Sequence, residues 1–499
     1  MTFLEFKALS PAEQAKYKIS EFFSRVPGAM GKFFAAIGKF FVNLVTKFIA
    51  GVKGYGSRFA KGDTATKVSY LIMGFGNFTR GQVGKGLVFL LSEILYIIYM
   101  AKFGMFYLSR FGTLGTVETY TVKDAATGRN IKVYGDNSML ILLYGVMTIL
   151  ITGAIIGVYI ANTKSAYECE LRNKAGKKNM SLKEEITDLL DNKFHITMLS
   201  LPVLLITVFT ILPLVFMICI AFTNYNKEHN PPGKLFDWVG FETFRDVFRN
   251  TGGANKAHTF AVLARWTIIW AIFATFSNYI VGMILALMIN KKTIKLKALW
   301  RTLFVITIAV PQFVSLLLMN QMLQYNGVVN VILQNFGMEP VHWIDGTWLT
   351  ARITIIVINM WVGVPYTILQ TSGILMNIPE DLYESARIDG ATPVVQFFEI
   401  TLPYMLFVTT PYLIQSFVGN INNFNVIYLL TKGDPKKDPT LFQAGQTDIL
   451  VTWLFKLTLD ESNYNMAAAI GILVFIVCAT LSLITFNLSK SSRNEEEFS

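Results

Sequence analysis

The chain reads as an all-α polytopic membrane protein with about eight transmembrane helices. Of its 499 residues, 53% are hydrophobic and only 15% charged, a balance unlike that of soluble domains. Eight apolar runs reach the roughly 20 residues that a helix needs to cross a bilayer. They lie at about 86–108, 138–162, 196–223, 262–290, 300–324, 350–376, 404–430 and 466–488. They are too long for barrel strands and do not alternate, which leaves helices.

In chain order, the first 64 residues form a separate region. Phe33, Phe34, Phe40, Phe41, Leu44 and Phe48 recur near helical spacing, interleaved with Lys32, Lys39, Lys47 and Lys53. This predicts a basic amphipathic helix on the inner membrane surface, with lipid as its partner; a helix packed on protein is the alternative. Residues 65–85, with Gly74, Gly76, Gly81 and Gly84, are too glycine-rich to assign. Residues 65–195 read as an accessory region with two spans, 196–490 as a core with six, and 491–499 as a tail. The first long apolar run starts only near Gly86, and no secretory signal pattern precedes it.

The loops set the sidedness. The net charge is +11, and in a membrane protein such an excess belongs in cytoplasmic loops rather than against nucleic acid. The short basic stretch 291–297 is placed inside. By alternation 163–195 and 377–403 follow it, and both termini are cytoplasmic. The outer loops are then 109–137, 224–261, 325–349 and 431–465.

Several chemistries are disfavoured. No Gly-x-x-x-x-Gly-Lys-[Ser/Thr] loop occurs, so ATP binding by this chain is not expected. Cys169, Cys219 and Cys478 have no disulfide or zinc spacing, and His195, His229, His258 and His342 are scattered. Neither catalytic residues nor a bound cofactor is expected. Glu93 and Lys102, nine apart in the first span, are expected at its edges or paired with other helices.

Two polar features remain. Segment 379–403 places Pro379, Glu380 and Asp381 at a helix start and Gly390 at its end, and a second helix starts at Pro393. Ser385, Ala386, Gly390 and Ala391 are small enough to let a partner surface approach the backbone. Within the spans, Gln312 with Ser315, Asn359 with Gly363, and Asn420 with Asn423 each share a helix face. Neutral amides suit a hydroxyl-rich ligand, and they also suit helix-to-helix bonding. Spacing alone leaves both readings open.

Segment 379–403 resembles the EAA coupling loop of ABC-importer permeases. The match rests on Glu384, Ala386, Asp389, Gly390, Ala391, Ile400, Leu402 and Pro403, with Ser385 in place of the usual alanine. The stretches 212–226, 238–248, 359–366, 416–424 and 444–450 are similar to carbohydrate permeases of the maltose/maltodextrin (MalF-like) type. The resemblance covers about 200–490 and implies a type I ABC importer permease core with a cytoplasmic coupling helix. It implies sugar contacts at Asn359, Gly363, Asn420 and Asn423, with Ile308, Gln312, Val362 and Gly419 at contact positions that differ from the family. The outer segment 224–261 is too short for the folded extracellular domain of some relatives. The resemblance further implies an oligosaccharide substrate, a second homologous permease subunit, an ATPase homodimer holding ATP-Mg and an extracellular solute-binding protein, in a bacterial cell membrane. The rival reading is an ion-coupled secondary transporter or channel for a small polar solute, which would call for internal repeats and intramembrane carboxylates.

Overall fold

The computed structural model describes residues 11–123, 129–249, 255–291, 293–436 and 438–488. Its contacts divide the chain into two compact units. One comprises 36–243 with 463–469; the other comprises 244–462 with the later part of the last helix and the first part of the N-terminal one.

In the first of these units, the N-terminal region ends as a single helix, α1 (Pro11–Lys61). The side chains of Lys32, Phe33, Phe34 and Phe41 lie outside the described ones, as does the tail 491–499. Near its end, the rings of Tyr55 and Phe59 pack on Tyr70 at 4.9 and 5.1 Å. The glycine-rich stretch, unassigned from sequence, folds into short helices Thr64–Val68 and Phe75–Phe78. Gly74 is required there: its φ is +84°, and a Cβ would fall 2.1 Å from the Gly86 carbonyl oxygen.

Three spans follow: α2 (Val83–Arg110), α3 (Ser138–Lys174) and α4 (Phe194–Ile220). Between α2 and α3 runs an antiparallel hairpin, β1 (Tyr120–Lys123) and β2 (Asn130–Val133), a small exception to the all-helical expectation. α3 runs 12 residues beyond the expected 162 and so reaches the glycine-rich stretch. There Asn162 accepts from the Gly74 N–H at 2.8 Å and donates to the Ser69 carbonyl at 2.9 Å. Buried Glu170 accepts from the Asp63 N–H at 3.0 Å and the Thr66 hydroxyl at 2.7 Å. Glu93 accepts from the Met73 N–H at 2.8 Å, pairing with a neighbouring segment. α4, expected at the head of the 196–490 core, packs on α3 in this unit.

The other unit is built on α5 (Lys256–Asn290). After it come α6 (Lys297–Ala309) and α7 (Gln312–Met322), which meet at 87°. The single straight span expected over 300–324 is therefore corrected to a bent pair. Pro311 has no N–H to continue the ladder and pushes Val310 into an extended conformation, φ −80° and ψ 123°. Then follow α8 (Trp348–Leu375), α9 (Glu380–Ile388) and α10 (Pro393–Ile421). The run expected to continue to 430 breaks at Asn422 and Asn423. It resumes as α11 (Phe424–Thr431), followed by α12 (Leu450–Leu459) and α13 (Tyr464–Leu488). Among the described residues seven helices are long and apolar enough to cross a membrane, or eight with the bent pair taken as one.

Trp266 and Trp270 of α5, Leu316 of α7, Ile355 of α8 and Val426, Ile427 and Leu430 of α11 form its buried core. The loop before α12 is pinned by buried Asp448, which accepts from Lys456, Thr452 and the Gly445 N–H.

Candidate functional site

α5 is the element on which two of the predicted site residues, Asn420 and Gly363, pack. Its Thr275 hydroxyl accepts from Asn420 Nδ2 at 3.0 Å, and its Trp270 indole N–H donates to the Asn420 carbonyl at 3.0 Å. One turn along, Asn278 lies against Gly363 of α8. A Cβ on Gly363 would stand 2.1 Å from Asn278 Nδ2. One further turn brings Gly282 against Thr367, where a Cβ would be 2.5 Å from the threonine Cβ. Small residues thus let α5 and α8 approach closely, as in helix pairs packed within membranes.

The four family-implied sugar positions divide in their bonding. Asn420 has a protein partner at both amide atoms, since its Oδ1 also accepts from Asn423 Nδ2 at 3.2 Å. Asn423 is the N-cap of α11, its Oδ1 accepting from the Val426 N–H at 3.4 Å. Asn359 is buried, but its Nδ2 has no protein partner. It sits one turn from Gly363, against which Asn278 packs with its own Oδ1 unpartnered. A free buried donor and a free buried acceptor therefore lie within a turn of each other on facing helices. Such groups call for a polar ligand or water.

Ile308 and Gln312 are elsewhere, at the bend between α6 and α7. With Trp361, Val362 and Tyr366 of α8 they line a small niche. Trp361 and Tyr366 are half exposed, offering aromatic surface beside the bend. Gly419, next to Asn420 in the chain, has open space where a Cβ would stand. Its neighbour Val418 lines an apolar groove with Val451, Leu454 and Phe475.

Asn278, Thr275, Trp361 and Tyr366 were not singled out by sequence reasoning. Asn278 carried the same signal as Asn359, a lone amide within an apolar run. Thr275 carried none, because threonine is ordinary in membrane helices.

The second candidate feature is α9. Its C-terminus is a Schellman turn: the Ala391 N–H donates to the Ala386 carbonyl at 2.8 Å and the Gly390 N–H to the Arg387 carbonyl at 3.1 Å, with Gly390 at φ +81°. Thr392 then caps the start of α10, accepting from the Val395 N–H. The Tyr383 hydroxyl is 2.8 Å from that of Thr401, fastening α9 to α10. Glu384, Ser385, Asp389 and Gly390 are exposed, while Ala386 and Ala391 are partly covered. Ile388 is 87% exposed. Geometry and exposure suit insertion into a cleft of another protein.

Comparison with known proteins shows the family. Residues 278–494 match the family described as binding-protein-dependent transport system inner membrane component. The galactooligosaccharides transport system permease protein GanP of Bacillus subtilis (strain 168) is 35% identical over 430 residues, covering 85% of this chain and 97% of that protein. The chain belongs to this family of ABC-importer permease subunits. The maltodextrin transport system permease protein MdxF of the same organism is 33% identical over 438 residues, covering 85% of the chain and 95% of that protein. The fold is shared with a crystal structure of a bacterial ABC transporter involved in the import of the acidic polysaccharide alginate, at 23% identity and TM-score 0.51, covering 61% of the permease and 97% of that chain. The permease is a multi-pass membrane subunit, and the secondary-transporter reading gains no support.

Proposed function

We propose that the permease forms half of the translocation pathway of an ATP-driven importer for neutral oligosaccharides. The carrying observation is the unpartnered pair, Asn359 Nδ2 and Asn278 Oδ1, buried on facing helices. One donor and one acceptor without charge match a sugar hydroxyl, which both donates and accepts. At the bend between α6 and α7, apart from this pair, the aromatic faces of Trp361 and Tyr366 offer stacking surface for a pyranose ring. The names of GanP and MdxF, a galactooligosaccharides and a maltodextrin permease, favour a neutral oligosaccharide over a charged glycan.

The companions of this reading are a second homologous permease subunit, an ATPase homodimer that holds ATP-Mg, and an extracellular solute-binding protein. Closure of the ATPase dimer moves α9, and the spans of 196–490 reorient about the amide site. That requires two conformations which the ATPase and the sugar bias together. Both termini and 379–403 then face the cytoplasm.

The test is uptake of labelled galacto- and malto-oligosaccharides by proteoliposomes holding the full complex. Asn359→Leu and Asn278→Leu lower uptake while the complex stays assembled. Dispersal of the complex on either substitution, or normal uptake by both, refutes the site.

A further inference from the structure

We infer that α1 between residues 36 and 61 is a docking surface for the anionic face of a lipid bilayer. This stretch holds five basic residues and no Asp or Glu. At 3.6 residues per turn, Leu44, Phe48, Val52, Tyr55 and Phe59 fall in one arc of about a quarter turn. Lys39, Lys53 and Lys61 fall on the opposite side, and Lys47 and Arg58 flank the stripe at its Leu44 edge. Leu44, Phe48 and Val52 are 53%, 69% and 54% exposed.

Two observations say what covers this stripe. The stripe continues an established contact, because Tyr55 and Phe59 already pack on Tyr70, and the Tyr55 hydroxyl lies 3.1 Å from that of Tyr159 in α3. α3 is a membrane-spanning helix, so the uncovered part of the stripe starts from a point held at a membrane element. The charge pattern supplies the chemistry. A stretch with an apolar stripe, an opposite face whose charges are all basic and no acidic residue between 36 and 61 fits the boundary between acyl chains and anionic headgroups. A protein partner is the competing occupant, and the experiment separates the two.

The assembled complex is placed in nanodiscs of neutral phospholipid, or of neutral lipid mixed with an anionic one. Nitroxides are attached one at a time at Leu44→Cys, Phe48→Cys and Val52→Cys on the stripe, and at Asn43→Cys and Ala50→Cys on the polar side. The background from Cys169, Cys219 and Cys478 is subtracted using the parent chain. In anionic discs, membrane-dissolved oxygen relaxes 44, 48 and 52 most strongly, and a water-soluble nickel chelate relaxes 43 and 50. Neutral discs or high salt weaken the contrast, and each Lys→Gln change at 39, 47 or 53 lowers the docked-to-undocked ratio by up to about five-fold. Stripe positions shielded from both reagents mean a protein cover and overturn the proposal. Equal nickel access at all five positions overturns it as well, and docking that is equal in neutral discs overturns the headgroup assignment.

Discussion

Gly363→Ala tests the closest approach between α5 and α8. The new Cβ would stand 2.1 Å from Asn278 Nδ2 and 2.7 Å from its Cγ, so the amide must leave its place. Gly363 lies inside a helix, and alanine gains about 1 kcal/mol there by propensity. Displacing Asn278 off its rotamer costs about 0.5–1.5 kcal/mol, and residual overpacking about 1–3 kcal/mol. The net is a destabilisation of about 1–3 kcal/mol, with uptake falling because Asn278 no longer faces the turn that carries Asn359. Adding Asn278→Ala removes the obstacle and restores stability but not uptake. Gly282→Ala has no such relief, because Thr367 Cβ at 2.5 Å is fixed to the backbone and the helices must separate. The assays are unfolding of the purified complex in mixed detergent micelles and uptake by proteoliposomes. A Gly363→Ala complex of ordinary stability and uptake, or a double variant no more stable than the single, refutes the contact.

Asn420→Leu removes bonds to Thr275 and Asn423 and destabilises the complex by about 0.5–1.5 kcal/mol per bond, whereas Asn359→Leu lowers uptake with little change in unfolding; identical behaviour of the two would show that both amides serve one role. Gly390→Ala places a Cβ at φ +81° at a cost of about 1–2 kcal/mol, and is expected to leave membrane insertion intact while ATP hydrolysis yields less transport, read by measuring both rates in one preparation. Glu170→Ala strands the buried Thr66 hydroxyl at about 1–3 kcal/mol and releases the Asp63 N–H, seen as faster hydrogen exchange over 62–86. Burial alone would raise the Asp63 carboxyl, but the Arg80 guanidinium and the Thr66 N–H outweigh it and hold it below 3.8. Its stabilisation is thus present above that value and lost as pH falls through the lower native value, so protection factors over 62–86, corrected for the pH dependence of intrinsic amide exchange, should fall at acid pH and hold steady between pH 6 and 8.

The spans were legible because a bilayer imposes one rule, a run of about 20 apolar residues, and α2, α3, α5 and α8 each obey it. The bend at Pro311 was legible in principle: a proline mid-run was present, yet the length rule alone counts 300–324 as one helix. The turn of α9 was readable to the residue, because glycine adopts the left-handed backbone of Gly390 without steric cost. The stretch 62–86 was not readable. Its fold depends on Asn162 and Glu170, about a hundred residues away, and no local pattern announces such partners. The site was half legible. Spacing found Asn359 and Asn420, but only coordinates distinguish the amide that is bonded from the one that is not.

That distinction bears on how a transport site of this kind works. Asn420 is bonded to Thr275 and Asn423, and each such bond contributes only about 0.5–1.5 kcal/mol net. Under the proposed function, exchanging these partners for sugar hydroxyls is nearly neutral, because bonds are traded rather than lost. Asn359 and Asn278 differ: in this conformation their free atoms have nothing to trade, so a sugar that reaches them gains bonds outright. On that reading the bonded amides tolerate both conformations of an alternating-access cycle, and the unpartnered pair is where a ligand would bias one conformation over the other.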